Sequence, residues 1–277
     1  MTVRNAKSPL RVAVAGASGT VGRGIVSAIR DCNDIRVGAV ITRDPESDAI
    51  RALRSFLPAD VLVSTCMDDA VASVTDALID YTHPSSAPRN VLDAVRRRKA
   101  VVIGTSGLTD KLLGEIALEA EAFGVGVVAA SNFSLTAILM RKAVLDVARY
   151  LGSVEIIEYA NPKKADAPSA TALDIAHALG SARRNDAEPD RRTDAGLNPA
   201  RGAAVAEIPV HALRLDSYYH SIEVIFGEKA ERLTLRHDAI NGVEPYARGT
   251  LLALRAALSF KGLKCGLDEV LSLDDLV

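Results

Sequence analysis

Aromatic side chains are scarce in this sequence. They make up 4% of its residues, and tryptophan is absent altogether. Any core must therefore be aliphatic, and with 48% hydrophobic residues there is material for one. Cysteine is nearly as rare. Cys32, Cys66 and Cys265 are odd in number and scattered, with no CxxC or Cys/His spacing. This argues against a disulfide framework and a metal centre, and points to thiols in a reducing, cytoplasmic compartment. No apolar run reaches the length of a membrane span, and the opening "MTVRNAKSPLR" has no apolar signal core. A net charge of −2 gives no global attraction to nucleic acid or to a membrane surface. The basic run Arg96–Lys99 reads as a solvated helix end.

What is present is a repeating alternation. "RVAVAGASGTVGRGIVSAI" reads as strand, glycine turn, helix, with Val12–Ala15 a small-apolar run suited to a parallel strand buried on both faces. "IRVGAVITR", "ALIDYTHP", "AVVIGTSG" and "VGVVAASNFS" read as further strands, interleaved with the helices "NVLDAVRRRK" and "KLLGEIALEAEAFG". Such alternation predicts a Rossmann-type, doubly wound parallel sheet over residues 1–133. After residue 134 the pattern changes. A long helix, the strand "SVEIIEYA" and the helix "SATALDIAHALGSA" precede a polar loop over 181–203. Three strands then follow in series, "EIPVHALRL", "YHSIEVIFG" and "ERLTLRHDA". Residues 134–243 are thus expected to form an α+β domain with an open, antiparallel or mixed sheet. The final helix, within 244–277, is expected to pack back on the first domain.

The first strand runs into G-x-x-G-x-x-G, formed by Gly16, Gly19 and Gly22. Glycines there let the backbone turn tightly and approach a pyrophosphate, while the helix start offers free N–H groups and a positive dipole end. Ser18, Thr20 and Val21 lie within the same turn and are expected to contact the dinucleotide. A tight strand–helix turn without a ligand is the plainer alternative. The second strand ends Val40-Ile41-Thr42-Arg43, with no acid before Arg43. Thr42 can donate to a phosphate and Arg43 can pair with one, which favours NADPH over NADH. Arg43 as a loop cation, with Asp44 bonding the ribose, is the competing reading. Three further loops follow strands, "DYTHP", "GTSG" and "SNFS". From them Thr82, Gly104, Thr105, Ser131, Asn132 and Phe133 are expected around the nicotinamide. His83, beside Pro84, reads as a turn residue.

The stretch "NPKKADAPSATA", Asn161–Ala172, has the look of an anion-holding turn that opens a helix. Together with the glycine turn, "DYTHPSSA", "VVIGTSG", "SNFS", "IPVHALR" and "EVIFG…ERLTLRHDA", it resembles the dihydrodipicolinate reductases along essentially the whole chain. The resemblance implies an NAD(P)H-dependent reductase of a cyclic imine or unsaturated carboxylate in lysine and diaminopimelate biosynthesis. It also implies a homotetramer built through the open sheet. The family pattern here is Glu, any residue, His, His, two residues, Lys, one residue, Asp-Ala-Pro-Ser-Gly-Thr-Ala. Glu158, Lys164, Asp166–Ser169, Thr171 and Ala172 match it. Ala160 and Asn161 stand at the two histidines, and Ala170 at the glycine. The resemblance assigns Lys164, Ser169, Ala170 and Thr171 to a substrate carboxylate, with Asn161 at a position that helps bind substrate. It assigns the missing first His, with Lys164, to protonation.

Loss of that acid matters. Hydride addition to a conjugated imine leaves a carbanion-like centre that needs a proton, and a placed acid typically contributes about 10²–10⁴-fold. Lys164, Lys163, His220, Tyr218 and Tyr219 are the remaining candidates as donors. Ala170 is expected to narrow the pocket or strain the turn. These departures predict weak activity on the family's usual substrate. They leave open a different imine carboxylate in a specialised pathway, or a non-catalytic NADPH-binding protein.

Overall fold

The computed structural model describes residues 8–182, 201–240 and 242–271. In chain order the elements are β1 (Leu10–Ala15), α1 (Thr20–Arg30), β2 (Ile35–Ile41), α2 (Asp48–Arg54), β3 (Leu62–Ser64), α3 (Asp69–Val74), β4 (Ala77–Asp80), α4 (Ala87–Arg96), β5 (Ala100–Ile103), α5 (Asp110–Phe123) and β6 (Gly126–Ala129). There follow α6 (Leu135–Ala148), β7 (Ser153–Ala160), α7 (Ala170–Ala182), β8 (Ala203–Val205), β9 (Ile208–Arg214), β10 (His220–Gly227), β11 (Arg232–Ala239), α8 (Glu244–Ala257) and β12 (Gly262–Cys265). They fall into two compact units, Met1–Leu135 with Val243–Val277, and Thr136–Gly242.

The first unit carries a seven-stranded, all-parallel sheet in the order β12-β6-β5-β4-β1-β2-β3. The order reverses between β1 and β4, which is the doubly wound arrangement. Its central strands are apolar throughout because both faces are covered: every residue of β4, β5 and β6 is buried. On one face Ala13, Ala15, Leu78, Val101 and Val127 pack with Val91 and Val95 of α4 and Ile116 and Ala120 of α5. On the other, α1 and α8 lie side by side. Helix α5 shows how local chemistry sets the ends. The Thr109 side chain accepts from the Leu112 N–H, and Gly124 closes the helix at φ 68°, a left-handed conformation suited to glycine. Elements α2, β3, α3 and β12 are short and lack a full period of apolar residues, so local pattern does not announce them.

The second unit has a five-stranded mixed sheet in the order β11-β10-β7-β9-β8. Strands β9, β10 and β11 follow in series, but β7 lies between β9 and β10 and pairs parallel with β9. Even-numbered residues of β7, β9 and β10 pack on α6 and α7 around Ile156, Val210, Val224 and Phe226. Odd-numbered residues of β7 and β10 point to the opposite face, which among this unit's described residues carries no helix. The polar loop expected over 181–203 lies mostly outside the described residues.

Candidate active site

The glycine turn links β1 to α1. Gly16 has φ 80°, and a Cβ on it would sit 2.2 Å from the Tyr81 carbonyl oxygen. A Cβ on Gly22 would sit 2.1 Å from the Gly16 carbonyl oxygen. Both positions therefore require glycine on steric grounds alone. Gly19 is different: it caps α1 in an extended conformation with no side-chain hydrogen bond, and the first turn of α1 holds no acid. A helix start left without a capping side chain or carboxylate is a fitting place for a phosphate. Thr20 and Val21 open that helix.

Other loops meet this turn at the carboxyl ends of the strands. The Thr42 N–H, after β2, donates to the Ser64 carbonyl, and its buried hydroxyl donates to Ser18 Oγ at 3.3 Å. Thr42 is thus a brace between two loops, and Ser18 and Arg43 are the more outward groups. Arg43 is exposed. The Asp44 carboxylate accepts from the Glu46 N–H at 3.0 Å and holds its own turn.

After β4 and β5 a polar knot forms around Asp80, which is fully buried. It accepts from Thr82 Oγ1 at 2.7 Å, Thr105 Oγ1 at 2.6 Å and Asn90 Nδ2 at 3.0 Å. The Thr82 N–H donates to Thr105 Oγ1 at 2.8 Å, and the Gly104 N–H to the Asp80 carbonyl at 2.9 Å. The hydroxyls of Thr82 and Thr105 are thus committed to fixing the loops. Gly104 is bare because the Tyr81 ring occupies the space of a Cβ, 2.1 Å away. Tyr81 bonds Thr250 of α8 at 2.6 Å and meets Phe133 edge-on, and burial pushes its hydroxyl pKa well up. Phe133 is 2% exposed, a core side chain whose ring faces Tyr81 rather than solvent. Asn132 accepts from the Ser134 N–H at 2.8 Å, and Ser131 is exposed. His83 accepts from the Ser85 N–H and its carbonyl from Ser86 and Ala87, a turn residue's pattern.

The second unit presents the loop after β7. Asn161 shapes it: the side-chain carbonyl accepts from the Lys163 N–H and the main-chain carbonyl from the Lys164 N–H, both at 3.0 Å. Lys163 is exposed. Lys164 Nζ lies 2.8 Å from Asp166, and this ammonium holds the Asp166 carboxyl below its usual range. Ser169, 1% exposed, caps α7 by accepting from the Ala172 N–H at 3.2 Å. Ala170 and Thr171 form the first turn of α7. Ala170 is not among the residues with positive φ, so the strain expected there is not found; its Cβ sits in an ordinary helical turn and is exposed.

Beneath the loop lies a buried carboxylate that composition gave no reason to place there. Glu158, with no exposure, accepts from the Ser169 N–H at 3.0 Å and from Arg214 Nη2 at 2.7 Å. Arg214 also donates to the Asp166 carbonyl at 2.6 Å, tying β9 to the loop. The alternation of β7 and β9 was the available signal: both residues fall on the helix-covered face. His220 opens β10, with Nε2 3.4 Å from Ser169 Oγ. Tyr218 stacks on Tyr159, whose hydroxyl donates to Glu223 on the uncovered face, and Tyr219 is exposed. Among the described residues no group of three or more His, Cys, Asp or Glu could hold a metal ion.

Comparison with known proteins identifies the family of both units. Residues 10–133 match the family described as dihydrodipicolinate reductase, N-terminus, and residues 136–276 its C-terminus. The chain is 36% identical to the 4-hydroxy-tetrahydrodipicolinate reductase of Moorella thermoacetica over 263 residues, covering 95% of this chain and 98% of that protein. It is 33% identical to that of Halalkalibacterium halodurans, covering 95% and 99%. The dipicolinate-bound dihydrodipicolinate reductase from Paenisporosarcina sp. TG-14 superposes with a TM-score of 0.85 at 28% identity, over 95% of this chain and all of that one. With both parts of the chain matched by family models and relatives identical at 33–36% along nearly its whole length, the chain belongs to the dihydrodipicolinate reductase family of oxidoreductases.

Proposed function

We propose that the protein is an NADPH-dependent reductase of a cyclic imine or unsaturated carboxylate of the 4-hydroxy-tetrahydrodipicolinate type. The observation that carries this reading is the loop Lys164–Thr171. Within one short loop it carries an ammonium, a buried hydroxyl at a helix start and a second hydroxyl, donor types suited to a carboxylate. Similar relatives are named for that reduction, and one solved relative holds the dicarboxylate dipicolinate.

The dinucleotide supplies a hydride when bound. The bare approach at Gly16 and Gly22 and the uncapped start of α1 suit its pyrophosphate. Arg43 is exposed, while Asp44 already bonds its own turn, which supports a 2′-phosphate over a free ribose hydroxyl, and hence NADPH over NADH. Backbone groups of Gly104, Thr105 and Asn132 frame the nicotinamide, held by the Asp80 knot. Lys164 orients the substrate as a charge. The uncovered sheet face carries Ile157, Ile225 and Leu213 and supports assembly into a homotetramer. The three free thiols support a cytoplasmic setting.

NADPH oxidation with freshly generated 4-hydroxy-tetrahydrodipicolinate, beside a panel of cyclic imine carboxylates, tests the reading. Slow turnover of the first, as the departures at Ala160 and Asn161 predict, is the expected result. Ala160 and Asn161 favour a second reading, a different imine carboxylate, which turnover in the panel alone would select. NADPH binding with no turnover anywhere would make the protein a nucleotide-binding partner and not an enzyme.

A further inference from the structure

We infer that His220 is the proton donor of this enzyme: an imidazole presented from β10 that serves a substrate held by the Lys164–Thr171 loop. The inference rests on the reductase reading. The register carries it. Ala160, the last residue of β7, is paired directly with His220 across the antiparallel ladder. Directly opposed residues share a face, with Cβ atoms about 4.5–5.5 Å apart. On that face Ala160, fully buried, contributes only a methyl group and no proton donor. The imidazole of His220 takes a place there, with Nε2 3.4 Å from Ser169 Oγ. One strand thus lacks a donor at the position where its neighbour provides one.

The remaining candidates are either engaged elsewhere or, like Tyr219, exposed. Lys164 is paired with Asp166 at 2.8 Å, which fixes it as a charge for a carboxylate. Lys163 is exposed. Tyr218 stacks on Tyr159, whose side chain belongs to the opposite face of the sheet. Of the groups set around Ser169, His220 alone is an imidazole that hydrogen-bonds the cap residue.

The charges facing His220 favour proton loading on substrate binding. From the loop come Lys164 and Asp166. From β7 comes Glu158, already paired with Arg214 of β9, and from β11 comes His237. Burial, and next the Lys164 ammonium, hold the imidazole below its ordinary value. A substrate carboxylate bound at Lys164 offsets that ammonium, so the imidazole gains affinity for a proton when the site fills. The substrate then receives two electrons with the hydride. The electron pair left at the far end of its conjugated system takes the imidazolium N–H proton, the N–H bond breaks as the new C–H bond forms, and neutral His220 is reprotonated by water. The cofactor leaves oxidised by two electrons.

The test has one arm that needs no turnover. In the full-length protein with labelled histidine, the His220 imidazole is followed by NMR as pH is varied, with and without pyridine-2,6-dicarboxylate. The inference expects a titration below that of a free imidazole, moved upward by the dicarboxylate. A titration that the dicarboxylate leaves unmoved overturns it. In the second arm, His220→Gln and His220→Asn are compared, each checked for an unchanged melting curve. The expected result is a fall in kcat of about 100-fold, with NADPH and dicarboxylate affinities kept and the imidazole limb of the pH profile lost. Unchanged kcat with an unchanged profile overturns it. Silence of the unaltered protein toward every imine carboxylate strikes the reductase reading itself. Normal turnover with indifferent His220 variants strikes this inference alone.

Discussion

The two proposed ligand places, one in each unit, are made in opposite ways. In the first unit the ligand place is built from what is missing: side chains at Gly16 and Gly22, a cap on α1, an acid in its first turn. In the second it is built from what is added: Lys164, Ser169, Thr171, Glu158, Arg214 and His220. A site of bare backbone admits no extra atom, because the atoms it would meet are main-chain atoms with nowhere to move. A site of side chains admits exchange, because one strand of a sheet can present a group that its neighbour has lost. The departures noted at Ala160, Asn161 and Ala170 lie in the second unit, where that freedom exists.

The comparison can be broken at several points. The largest effect is expected inside the second unit, where freedom ends below the loop. Glu158→Ala leaves Arg214 without its buried partner and the Ser169 N–H without an acceptor. It should cost about 3–5 kcal/mol in denaturant unfolding and abolish carboxylate binding. Next is Gly22→Ala, whose methyl would press on the Gly16 carbonyl. A loss of about 3 kcal/mol is expected, with NADPH binding lost in calorimetry. If the protein accepts it, the claim that the first of these places tolerates no added atom is wrong. Arg43→Ala should weaken NADPH about tenfold, roughly 1.4 kcal/mol, and leave NADH unchanged. Equal loss for both cofactors would return Arg43 to the role of a loop cation. The counterpart of Gly22→Ala is Ala170→Gly. It restores the family residue in an ordinary helical turn and should cost less than about 1 kcal/mol.

The smallest effect concerns pH. Burial lowers the pKa of both His220 and His237 from 6.5. Above that value both states are neutral and folding carries no penalty. As pH falls below it, the unfolded chain takes up protons first, so stability declines. Melting temperature should fall modestly between about pH 7 and pH 5, and a His220→Gln, His237→Gln double variant should flatten that slope. A slope unchanged in the variant would assign it to carboxylates.

Much of this was legible beforehand, and the reason differs by unit. The glycine turn, the strand-end loops and the order of helices and strands follow from local pattern, because a parallel strand buried on both faces must be apolar and must end in a loop. Thr42, Thr82 and Thr105 show the limit. The place of each in a strand-end loop suggests a ligand contact, and each hydroxyl is bonded within the protein, to Ser18 or to Asp80, which leaves the backbone groups for a ligand. Local sequence shows where a hydroxyl lies, not which way it points. The pairing of His220 with Ala160 joins residues far apart in sequence through strand order, and β7 entering between β9 and β10 follows no local rule.

Strand β12 gives the first unit a timetable. It lies parallel beside β6 at the sheet edge, and α8 covers part of one face, yet both come from the chain beyond Val243. A ribosome making this protein emits β6, then the whole of the second unit, and only afterwards the pieces that finish the first. Until then β6 offers an open edge and the sheet an uncovered apolar face, the surfaces on which nascent chains associate wrongly. Synthesis halted just after Gly242 should therefore yield a second unit already folded while the first still waits for its last elements, and the nucleotide turn should bind its cofactor only once the last helix has emerged.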